Sequence, residues 1–258
     1  MKSIAFFALS LVATAAMAAS PSGVGSISIT GNSNQTASVN GGSLTNTAQT
    51  RAYANQNVAS NKGSITIRGN STQGSILEQA KVSNEAKSAG DAAVQNLASN
   101  VGNVGVDASA NIIGTSKQTA NIVQASLKNL ADSSGSGCTG PDCADAALAY
   151  QNGASNMGDV TISGHSEQTL GISGSTTSVS NAAQGTRAVA VQNMSSNYGK
   201  VTVAGNSTQI TSIAGGATVA NLAKGTLAHA YQNLASNDSC DPPPVVCVGP
   251  ACGPYASR

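Results

Sequence analysis

Residues 65–73 read Ile65-Thr66-Ile67-Arg68-Gly69-Asn70-Ser71-Thr72-Gln73. The stretch returns four more times with every second residue kept: Ile27, Ile29, Gly31, Ser33, Gln35; Ala110, Ile112, Gly114, Ser116, Gln118; Val160, Ile162, Gly164, Ser166, Gln168; and Val201, Val203, Gly205, Ser207, Gln209. The residues between are free to change, and Thr66, Arg68, Asn70 and Thr72 give way to Thr161, Ser163, His165 and Glu167. A period of two held over nine positions predicts a strand with one fixed, inward face and one variable, outward face. A helix would not keep alternate residues fixed in this way.

Two further segments follow each copy. The second is aliphatic-x-Asn-x-Ala, as in Leu44-x-Asn46-x-Ala48 and Val82-x-Asn84-x-Ala86, with charges such as Glu85 and Lys128 on the skipped positions. The third is Ala-x-Ala-x-Gln-Asn, closing on Asn61, Asn100, Asn156, Asn197 and Asn237. Its alanines also suit a short helix; the retained alternation and the Asn-x-Gly turn that often follows favour a strand. Five copies of a unit of about forty residues predict an all-β solenoid, with three short strands per repeat, over residues 19–237. The third copy carries two insertions, of which residues 132–143 are expected to form a projecting loop. Residues 238–258, with Pro242-Pro243-Pro244, read as a tail that cannot continue the strands.

The fixed face is unusual because it carries amides. A buried amide left without partners costs about 1–3 kcal/mol. Stacking identical repeats at the cross-β spacing lets each amide bond to its copies above and below, and this also fixes register. The expected ladders are Gln35, Gln73, Gln118, Gln168 and Gln209; Asn46, Asn84, Asn129, Asn181 and Asn221; and Gln56, Gln95, Gln151, Gln192 and Gln232. The same pattern serves a monomeric solenoid with capped ends or a stack that continues from chain to chain. Neither end of the array carries an obvious helical or charged cap, and unpaired end rungs template another chain.

Composition narrows the function classes. Charged residues make up 9% of the 258, against roughly 25% in an ordinary soluble domain. The net charge of +1 excludes a basic nucleic-acid binder. Both phenylalanines, Phe6 and Phe7, fall in residues 1–18, which read as a secretory signal: Lys2, an apolar run from Ile4 to Ala16, and the small-x-small site Ala16-Met17-Ala18. No later apolar run reaches membrane-spanning length. The expected product is therefore exported, without a membrane span in its mature form.

The cysteines agree with export. Cys138-Thr-Gly-Pro-Asp-Cys143 and Cys247-Val-Gly-Pro-Ala-Cys252 share one pattern, whose central Gly-Pro favours a turn bringing the sulfurs together. Two local disulfides are expected; a zinc site is the alternative, with His165 and His229 as the histidines on offer, and Cys240 is left over. No catalytic grouping stands out. His165 and His229 fall on variable positions, no Ser/His/carboxylate set suggests itself, and neither a phosphate loop nor an acidic metal cluster is present, so no enzyme activity or cofactor is expected.

Taken together, the signal segment, the Gly/Ala/Ser/Asn/Gln-rich repeats and the Asn84-x-Ala86…Gln95 pattern resemble the secreted subunits of bacterial functional amyloid, the curli and Fap fibres. The Cys-containing tail is similar to that of Fap subunits, although Cys247-x-Gly-Pro-x-Cys252 is not a tight Cys-x-x-Cys. The unit is also longer than a curli repeat. The resemblance implies an extracellular homopolymer supporting biofilm, adhesion or attachment, with a nucleator and an outer-membrane secretion pore as partners. The competing expectation is a monomeric or anchored solenoid adhesin that binds a surface or glycan. That reading asks for an exposed aromatic stripe, for which Tyr53, Tyr150 and Tyr231 are the candidates.

Overall fold

A computed structural model of the chain describes residues 26–49, 53–87, 91–101, 109–133, 147–185, 188–225 and 228–238. The first rung consists of β1 (Ser26–Ile29), β2 (Asn32–Asn40), β3 (Ser43–Gln49), β4 (Tyr53–Asn57) and β5 (Asn61–Lys62). Each of these strands founds a five-stranded parallel sheet to which every later repeat adds one strand in sequence order. The fold is therefore an all-β solenoid of five rungs, with five strands per rung rather than the three expected. The first segment is two strands, because the chain bends at Gly31 between β1 and β2. The third is also two, because Val58–Ser60 turns the chain between β4 and β5.

Register is exact along the stack. Gln35 pairs with Gln73, Gln73 with Gln118, Gln118 with Gln168, and Gln168 with Gln209. In-register pairing follows from the pleat: slipping one residue would send every aliphatic outward.

The core is a set of stripes rather than one globule. Ile65, Ile67, Ile112, Val160 and Ile162 form the β1-column stripe. Leu77, Ile122 and Ile172 meet Val82, Leu127 and Val179 around the turn from the β2 column to the β3 column. Bulk moves between columns within this stripe. Gly153 leaves room that Leu170 fills, and a Cβ on Gly153 would lie 2.9 Å from its Cδ2. A third stripe is all alanine: Ala86, Ala131 and Ala183 face Ala93, Ala149 and Ala190. These thin side chains allow the β3 and β4 columns to approach closely enough for amides to bridge them.

The variable face carries the charges, as two short ion-pair rows. Lys117 Nζ lies 3.0 Å from Glu167 Oε1, and Lys128 Nζ lies 2.8 Å from Glu85 Oε1.

Two boundaries shift relative to the sequence reading. Asp132 closes the strand Ser126–Asp132, and the Ser133 amide donates to the Gln184 carbonyl, so the loop does not begin at 132. Asp238 belongs to the last strand, Asn237–Asp238, paired with Tyr198, so the tail does not begin at 238. The expected signal segment and the five cysteines lie outside the described residues.

Candidate assembly interface

Four amide columns run the height of the stack, and each has a direction. On the β3 column Asn46 Nδ2 donates to Asn84 Oδ1, Asn84 to Asn129, Asn129 to Asn181, and Asn181 to Asn221, at 2.7–2.8 Å. The same Nδ2 groups also reach across the alanine stripe, as Asn129 does to the carbonyls of Ala93 and Tyr150, both at 3.0 Å. Those carbonyls fix which end of the amide is nitrogen. The Gln column on β4 runs the opposite way: Gln95 Nε2 donates to Gln56 Oε1, Gln151 to Gln95, Gln192 to Gln151, and Gln232 to Gln192.

Two columns outside the expected set behave similarly. Asn61, Asn100, Asn156 and Asn197 each donate to the next, ending on Asn237. Asn96, Asn152, Asn193 and Asn233 each donate to the one before, ending on Asn57. Their signal in the sequence was an Asn kept in all five copies at a position where alternation demands variation.

The first expected ladder is not one. Gln35, Gln118, Gln168 and Gln209 donate across the rung to Asn61, Asn156, Asn197 and Asn237 rather than to each other. Gln73 Nε2 meets only the Ser99 carbonyl, at 3.3 Å. The Oε1 atoms of Gln35, Gln73, Gln118 and Gln168 are buried without a partner. An Asn column directly opposite offers a shorter reach than the next rung, and it captures the donors.

The two end rungs expose what the inner rungs bury. Among the described residues, β1 to β5 and the five strands of the last rung pair on one side only. Leu44 in the first rung is 36% exposed, whereas its column neighbour Val82 is 1% exposed. Ile213, Val203 and Leu234, all on the inward face of the last rung, are exposed too.

The glycine column adds a second sign. A Cβ at Gly69, Gly114, Gly164 or Gly205 would fall 2.0–2.1 Å from the carbonyl oxygen of the glycine one rung below, so only glycine fits. Gly31 sits in the same column with nothing within 4 Å.

Charge is sparse at these ends. In the first rung Lys62 Nζ donates to Tyr53 Oη and lies 4.9 Å from its ring centroid. Desolvation where the two polar tips meet holds the Lys62 ammonium down at about 8 and pushes the Tyr53 phenol up to about 12, although the tyrosine as a whole is exposed. Inside the stack, hydrogen bonds from Lys128 and then Lys87 hold the Glu85 carboxyl at about 2.

The aromatic stripe does not form. Tyr53 and Tyr231 are exposed, but Tyr150 is fully buried with Val94, Leu148, Met157 and Val191 in an apolar cluster on the outer side of the β4 and β5 columns. His165 lies outward in its strand. His229 is exposed and stacks on Tyr231 with ring centroids 6.3 Å apart. The described residues contain no group of three or more His, Cys, Asp or Glu able to hold a metal.

Fold and site define an in-register parallel β-solenoid whose amide-lined end strands are, among the described residues, paired on one side only. Comparison with known protein families, curated proteins and solved structures returned no match.

Proposed function

We propose that the chain is a secreted structural subunit that self-assembles end to end into extracellular amyloid-like fibres for biofilm formation, adhesion or surface attachment. The observation that carries this reading is the state of the end rungs. They keep the full repeat signature, amides, core aliphatics and glycine alike, where the described chain offers those residues no partner on their outer side. A stack whose last edge is another chain's first edge supplies each missing contact. The partner is thus another copy of the chain; a nucleator and an outer-membrane pore belong to the same reading through the resemblance to curli and Fap subunits. The adhesin alternative draws less support, because burial of Tyr150 breaks the aromatic stripe it needs.

The test is negative-stain microscopy and fibre diffraction of the purified chain. Fibres with a meridional reflection at roughly 4.7–4.8 Å are expected. A chain that stays monomeric for days at high concentration, with sharp solution spectra, would overturn the reading.

A further inference from the structure

We infer that assembly is polar: the last rung of one copy docks onto the first rung of the next, and neither end docks onto its own kind. This rests on the self-assembly reading above and adds the identity and chemistry of the two faces.

The directions of the amide columns carry the inference. Two columns donate toward the last rung and two toward the first. Each column therefore ends differently at its two extremities. The last rung offers as donors Asn237 Nδ2 and Asn221 Nδ2, the latter already bonded to the Ala190 and Tyr231 carbonyls just as Asn129 Nδ2, which also reaches Asn181, is bonded to those of Ala93 and Tyr150. As acceptors it offers Gln232 Oε1 and Asn233 Oδ1, which receive nothing from within the described chain. The first rung offers the complement. Asn57 Nδ2 is a donor with no partner among the described residues, and Gln56 Nε2 donates to the Ser83 carbonyl at 3.3 Å and keeps its second hydrogen. Asn46 Oδ1 and Asn61 Oδ1 are acceptors not reached by any rung below, Asn61 Oδ1 receiving Gln35 within its own rung.

Placing first rung on last rung in the internal register joins Asn221 to Asn46, Asn237 to Asn61, Gln56 to Gln232 and Asn57 to Asn233, donor to acceptor every time. Placing an end against its own kind reverses the order of the columns, so the amide columns no longer meet in the internal register, and it forces antiparallel pairing on sheets that are parallel throughout. The column that begins with Lys62 ends with Asp238, so the polar junction brings opposite signs into one column.

Two substitutions disable one end each while leaving the internal bond intact. Asn57→Asp still accepts from Asn96, and Asn237→Asp still accepts from Asn197 and Gln209, because both roles use the retained oxygen. What each loses is the outward donor. The two variants are purified separately, one of them isotopically labelled, and mixed at equal concentration for native mass spectrometry. Circular dichroism confirms that each folds.

The expected result is that each variant alone is monomeric and the mixture gives a dimer of one of each, with no larger species. Lowering the pH below about 4 protonates the introduced carboxyls, returns a donor, and restores growth. Homodimers of either variant, with no mixed dimer, would overturn polarity while leaving self-assembly standing. Growth of either variant alone at wild-type rate, or no mixed dimer at all, would overturn the amide argument. A wild-type chain that never assembles would remove both this inference and the function it rests on.

Discussion

Gly31→Ala separates the needs of the fold from those of assembly. Inside the chain the new methyl meets nothing within 4 Å. The monomer should keep its stability or gain about 0.4–1 kcal/mol from a less mobile unfolded state. At a junction with another copy, that methyl would face the Gly205 carbonyl as a Cβ on Gly69 faces that of Gly31, at 2.0 Å. Relief requires opening the bend. Between the first two rungs the bend is held by three backbone bonds, Arg68 N to Ile29 O at 2.8 Å, Gly69 N to Ile29 O at 3.0 Å and Asn70 N to Gly31 O at 2.9 Å. Losing their equivalents at the junction costs about 3 kcal/mol at about 1 kcal/mol each. That raises the critical concentration for assembly about a hundredfold. Gly114→Ala is the control, since its methyl would strike the Gly69 oxygen at 2.1 Å within the chain and should destabilise the monomer by a similar amount. The assays are the soluble concentration left at equilibrium and urea unfolding of the monomer. A Gly31→Ala chain that assembles at the wild-type critical concentration would refute backbone stacking of last rung on first.

Gln151→Met should destabilise the fold by about 2–3 kcal/mol, because Gln95 Oε1 and Gln192 Nε2 each lose a ladder partner. Gln73→Met removes one bond of 3.3 Å together with an already unpartnered oxygen, and should cost less than half as much by the same urea titration. Acid should weaken the Glu85 ion pairs: this carboxyl is held at about 2 against an ordinary 4.5, so its contribution is complete above pH 4.5 and is lost as pH falls toward 2. Lys87 and Lys128 are nearly half exposed, so Glu85→Gln should cost below about 1 kcal/mol at neutral pH and should flatten the stability profile across that window.

Alternation made the inward faces legible, and repetition made the register legible. The number of strands was hidden because a corner need not interrupt the alternation. Ile29, Gly31 and Ser33 keep one parity straight through the bend, so the break between β1 and β2 leaves no mark on a period-two pattern. The partners of the first Gln column were hidden for a different reason. An amide on a fixed face announces that it is bonded, but the bond it makes depends on what stands opposite, and only the fold brings Asn61, Asn156 and Asn197 within reach of that column. Burial of Tyr150 was out of reach in the same way. Its outward parity is correct, yet outward from the rung is not the same as exposed to water.

Where the chain departs from its repeat also bears on assembly. The closing Asn residues of successive copies are 39, 56, 41 and 40 positions apart, so the extra length falls between the second and third. A middle rung is paired on both edges, and lengthening a loop there costs little more than the slow growth of closure entropy. Beside an end rung, the same length of chain would have room to lie over the open edge and bond its unpaired amides, as edge strands are commonly protected. Within the repeat array the extra length therefore falls away from both end rungs, and the bends nearest those ends keep glycine, Gly31 at one end and Gly205 at the other. An array selected only to remain a monomer would be expected to show the reverse: regular rungs in the middle, and its insertions and lost signature in the first and last rungs.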